Sequence, residues 1–156
     1  MDRQKTHLWR GVVPSFMIHD VADDPGSLTP SELRQQYESE LREVIEELGV
    51  GTVAERSGID RERLNEIEET PDIELMDAAA ILATREGTPD GESIAMEARD
   101  VLLMGMTTAV LDVDTLESEI DGQIEAKEIQ QKIEGRFPMT LAEYALLQQA
   151  IEGRSP

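Results

Sequence analysis

The chain has 156 residues, no cysteine, 3% aromatic content, and 34 acidic against 14 basic residues, for a formal charge of −20. The missing cysteine excludes disulfides, thiolate catalysis and cysteine-held zinc. The only histidines, His7 and His19, lie in the N-terminal tail, so no His-based catalytic set can form in the body. No enzyme activity, metal or cofactor is therefore expected. A hydrophobic content of 39% is modest, but the apolar positions are clustered and periodic enough for a core of Leu, Ile, Val, Ala and Met.

Residues 1–16 differ from the rest, with Arg3, Lys5 and Arg10 against the single acid Asp2, and with the only tryptophan, Trp9. Arg10 and Pro14 break the apolar run there, which argues against a secretory signal. Residues 1–28 are expected to be a flexible segment, with 1–16 either a mobile basic arm or sequence upstream of a true start at Met17, where the acidic composition begins. With no export signal and no bilayer-spanning run, a cytoplasmic location is expected.

Residues 29–153 read as a single all-α domain of about seven to eight helices. Thr29-Pro30-Ser31-Glu32 combines a cap, a first-turn proline and a capping-box glutamate. Leu33, Tyr37, Leu41, Val44, Ile45 and Leu48 then recur on one face over 31–48, and Gly49 and Gly51 end that helix. A short helix follows over 52–57, with Gly58 suited to a turn at positive φ. Asp60 caps the next helix, which turns Leu64 and Ile67 inward and stops before Pro71. A fourth helix covers 75–83, and Gly87-Thr88-Pro89-Asp90-Gly91 breaks the chain. The helix expected over 93–111 is amphipathic at first, then apolar on every side at Val101-Leu102-Leu103-Met104-Gly105-Met106, as in a core or an interface. Further helices are expected near 114–120, 126–133 and 141–151.

Two stretches match one device. Ala54, Gly58, Ile59, Leu64 and Ile67 stand at the spacing of a helix-turn-helix, in which a glycine makes the turn and apolar residues seat the second helix. With its flanking helices, the unit at about 31–84 resembles the repressor domain of the Cro and phage-repressor type. Ile129, Ile133, Gly135, Pro138, Leu141 and Glu143 resemble the same pattern in a second unit at about 113–152, joined to the first by the 93–111 helix. Acid-rich composition with three lysines beside eleven arginines is similar to that of salt-loving archaea. In their molar potassium the Debye length falls to about 3 Å, so a negative surface is tolerated. The run Leu102 to Asp112 and Ile133-Glu134-Gly135 resembles a family of small acidic haloarchaeal proteins of uncharacterised function. That resemblance supports source and fold and implies no activity.

The helix-turn-helix resemblance implies double-stranded DNA, bound at high salt. Bases are read best by Arg, Lys, Asn and Gln, and phosphates need cations. The first copy offers Arg61, Arg63 and Asn65 among acids that make its helix net negative. The second offers Lys127, Gln130, Gln131 and Arg136 on or beside its reading helix, together with Lys132, and is the better equipped. The lysines could equally complete i,i+4 ion pairs on a solvated face, as Lys132 with Glu128. The competing function is a non-enzymatic protein-interaction module that keeps the fold without nucleic acid. Its partner is another protein or a second copy, met by an apolar surface at Leu102, Leu103, Met104 and Met106. No membrane partner is expected.

Overall fold

The computed structural model describes residues 18–67 and 73–154. Among these residues the fold is all-α, with eight helices and no strand or sheet. The helices are α1 (Pro30–Leu48), α2 (Val50–Ser57), α3 (Arg61–Asn65), α4 (Leu75–Leu82), α5 (Gly91–Ala109), α6 (Val113–Glu119), α7 (Ala126–Ile133) and α8 (Leu141–Arg154). The expected start at Met17 lies outside the described residues, and the helix expected to stop before Pro71 ends at Asn65.

Local chemistry starts and stops these helices. At α1 the Thr29 Oγ1 accepts from the Glu32 amide at 3.1 Å, and Glu32 Oε1 accepts from the Thr29 amide at 2.9 Å. Thr140 and Glu143 repeat that capping box at α8, with bonds of 2.9 and 3.0 Å. Asp90 and Asp112 each cap the third amide of α5 and α6 at 2.8 Å. Gly58 takes the left-handed conformation expected of it, at φ +78°. Gly49, at φ +89°, ends α1, but Gly51 does not share that role. The next helix begins at once with Val50, so Gly51 lies within α2.

The helices enclose one apolar core. Leu33, Tyr37, Leu41 and Val44 of α1 enter it with Leu75, Ala79 and Ile81 of α4 and Tyr144, Leu147 and Ile151 of α8. Helix α1 runs mainly along α8, and α5 runs mainly along α4. The starts of α4 and α8 meet at an isolated antiparallel bridge between Glu74 and Thr140. There the Leu75 amide donates to the Met139 carbonyl and the Leu141 amide to the Ile73 carbonyl, both at 2.7 Å.

Two expectations need correcting. Residues 18–28 belong to the body: Ile18 and Ala22 are buried in the core, and the turn Pro25–Ser27 packs on α8. Gly26 is so close to α8 that a Cβ would stand 2.9 Å from the Glu152 backbone. Helix α5 is not enclosed all round either. Its packed neighbours cover the face of Ile94, Ala98, Leu102 and Met106, leaving Leu103 54% and Met104 67% exposed.

Candidate nucleic-acid interface

Two pairs of short consecutive helices stand out, α2–α3 and α6–α7, at the positions where the sequence suggested a helix-turn-helix. In the second, Ile129 and Ile133 point α7 into the core, and Glu117 of α6 caps it by accepting from the Ala126 amide at 2.8 Å. A 3.6-residue repeat then sets Lys127, Gln130, Gln131 and Glu134 on the side away from the core. Lys127 and Gln130 are exposed and Gln131 is half-buried. Gly135, at φ +81°, closes the helix, and the Arg136 amide returns to the Gln131 carbonyl at 2.9 Å.

Glu134 gathers two of the candidate readers. Gln130 Nε2 donates to its Oε2 at 3.2 Å, and Arg136 donates to its Oε1 from Nε at 3.0 Å and Nη2 at 2.6 Å. The Gln130 and Arg136 hydrogen bonds and the Arg136 charge hold the Glu134 carboxyl below its ordinary range. Lys132 is a strut: its ammonium pairs with Glu143 at the start of α8, and lies 3.8 Å from Glu128. The i,i+4 pair anticipated for Lys132 is therefore present, with a stronger partner added from another helix.

In the first pair, α3 is only five residues long and its cap residue Asp60 makes no side-chain bond to it. Leu64 turns inward, while Arg61, Arg63 and Asn65 are exposed. Arg63 is held by Asp77 of α4 at 3.0 Å. Arg61 lies back over the first turn of α2, where a Cβ on Gly51 would stand 2.7 Å from its Nη2.

Arg61, Arg99 and Lys127 make no hydrogen bond or ion pair with any described residue. Most other described cations are held by acids or carbonyls, as Arg85 is by Glu40 and Glu47. The three free cations also share a sequence property, since none has Asp or Glu at i±3 or i±4. That signal could have found Arg99, which the sequence reading passed over. Its guanidinium lies on the backbone of Gly135, with three atoms 3.1–3.2 Å from where a Cβ would stand. Arg99, Lys132 and Arg136 share a groove of about 440 Å³ with Met96 and Phe137, beside the end of α7.

The apolar surface candidates separate into two groups. Leu102 and Met106 are buried, at 1% and 6%, because the i,i+4 spacing puts both on the core face of α5. Leu103 and Met104 remain outside. Met96, Leu103 and Val110 are also exposed, at seven-residue steps, with the polar Arg99, Asp100 and Thr107 between them. Among the described residues no group of acidic and histidine side chains is placed to hold a metal, and no helix is long and apolar enough to cross a membrane.

The chain belongs to the DUF5791 family, a family of unknown function, whose model matches residues 33–154. No curated protein and no solved structure matches it.

Proposed function

We propose that this chain is a cytoplasmic DNA-binding regulator of a salt-loving archaeon, with α7 as the main reading helix. One observation carries the reading. In a chain of charge −20, exposed cations with no acidic partner among the described residues stand in the first turn of both second helices of the helix-turn-helix pairs, Arg61 on α3 and Lys127 on α7. A cation that could have been neutralised locally and was not is available to a phosphate. Gln130 and Gln131 supply hydrogen-bonding groups for base edges beside Lys127. The surrounding acids oppose DNA at moderate salt, and molar potassium screens that repulsion.

The test is selection of genomic fragments by the full chain in molar KCl, beside a Gln130→Ala/Gln131→Ala variant. A defined sequence should be enriched, and the folded double variant should lose it. Absence of enrichment by the folded native chain would overturn the reading.

The adjoining exposed side chains Leu103 and Met104 on α5 favour a second reading, a protein-interaction module. Single exposed apolar side chains are ordinary, but two large ones side by side on one helix give a partner something to cover. Concentration-dependent sedimentation that Leu103→Glu abolishes would support self-association, and a monomer at all concentrations would remove it.

A further inference from the structure

We infer that the chain is a duplicated four-helix unit, α1–α4 and α5–α8, arranged about an internal two-fold axis, and that one chain therefore reads two inverted DNA half-sites. The second part rests on the DNA reading proposed above.

The two halves correspond element by element. Helices α1 and α5 each contain 19 residues and carry an oxygen side-chain cap on the third amide, from Thr29 and Asp90. Each is followed by two short helices, one residue of the Glu74–Thr140 bridge, and a final helix. Buried positions fall in register, as Leu33 with Ile94, Leu41 with Leu102, Val53 with Leu116, Leu64 with Ile129 and Leu75 with Leu141.

Much of the packing obeys the same exchange, apart from α1 on α2 and α5 on α7, whose counterparts are weak or missing. Helix α1 lies against α8 as α5 lies against α4, and α2 packs on α4 as α6 packs on α8. The bridge bonds, Leu75 to Met139 and Leu141 to Ile73, interchange under the rotation and have the same length of 2.7 Å. The family match over 33–154 takes in both halves. The helix expected to join two units at 93–111 thus becomes the first helix of the second, which spans 91–154 instead of 113–152.

A two-fold rotation preserves height along its axis, so α3 and α7 flank the axis at one level. Symmetric helix-turn-helix dimers meet inverted half-sites with such a pair of helices. Here the pair is fused in one chain, and Arg61 and Lys127, unpaired among the described residues, stand in the first turn of its two members, Arg61 at the first position and Lys127 at the second. The halves are not identical, since α3 has five residues and α7 has eight, so the α7 half-site should dominate.

The experiment uses the full chain in molar KCl with its selected DNA, together with Arg61→Gln and Lys127→Gln variants checked for folding by circular dichroism. The expected result is a pair of inverted half-sites bound by one chain, measured by sedimentation. Each variant should lose about tenfold in affinity. Scrambling one half-site should erase the effect of Arg61→Gln, and scrambling the other that of Lys127→Gln. A single uninterrupted site, two chains per site, or an effect of Lys127→Gln alone would overturn the two-site inference while leaving the DNA reading intact. Failure of the folded native chain to bind any DNA would overturn both.

Discussion

The Tyr37 hydroxyl donates to Gln148 Oε1 across the core, a buried bond between α1 and α8 that joins the first helix of the domain to the last. The Tyr37 ring packs on Tyr144, with centroids 5.9 Å apart and planes tilted by 51°. The two hydroxyls fare differently, for the buried Tyr144 oxygen has no hydrogen-bond partner among the described residues. Tyr37→Phe strands the Gln148 carbonyl in the core and should cost about 1–3 kcal/mol. Tyr144→Phe removes an unsatisfied group and should leave stability unchanged or raised. Urea unfolding of both variants in concentrated KCl checks the contrast, and equal losses would contradict it.

The same tyrosines set an alkaline limit. Burial, and secondarily Glu152, raises Tyr37; burial, then Tyr37 and nearby carboxylates, raises Tyr144. Below pH about 10 both folded and unfolded chains keep these protons, and the phenols contribute no pH dependence. Above it the unfolded chain releases them while the folded chain holds them, so stability falls as pH rises. The slope is about 1.4 kcal/mol per pH unit for each buried tyrosine. Unfolding measured between pH 10 and 11.5 should have a shallower slope in Tyr144→Phe, and an unchanged slope would refute the assignment.

The helices were legible because each carries its own local signals: the apolar repeat of α1, the Thr29 capping box, and Gly58 in its turn. The Glu74–Thr140 bridge was not, since a one-residue pairing leaves no alternation to read. The likeness of α1 and α5 was hidden by different buried residues, such as Tyr37 and Ala98 at matching positions. On α5, the unbroken apolar run from Val101 to Met106 concealed which side faced the core. At the interface, the sequence identified the exposed side of α7 but not the ion pairs of Arg63 and Arg136, whose partners depend on the fold or the turn.

Val110 ends α5 in the left-handed region, at φ +55° and ψ +52°, where a β-branched residue is strained. The turn is held by the Leu111 amide, which donates to the Met106 carbonyl at 2.8 Å. Val110 is 88% exposed, so its side chain contributes little packing. Val110→Gly should therefore stabilise the chain by about 1 kcal/mol. Thermal unfolding reads this directly, and a lower midpoint would mean that the valine packs on something that outweighs its backbone strain.

Glu134 stands between the DNA reading and its own residues. Its carboxylate occupies Gln130 and Arg136 and adds negative charge to the face that would meet phosphate. Because Glu134 is exposed, the pair contributes little to folding, and Glu134→Gln should leave the unfolding midpoint within a degree or two, as is usual for surface pairs worth about 0–1 kcal/mol. Binding should respond much more. Arg136 is freed and one repulsive charge is lost, so affinity for the selected site should rise several-fold, about as expected for 1 kcal/mol. The gain should shrink as KCl increases, since added salt screens the repulsion that the substitution removes. If Glu134→Gln weakened binding at every salt concentration, Glu134 would be positioning Gln130 and Arg136 for contact with bases. The acid would then belong to the reading surface instead of masking it.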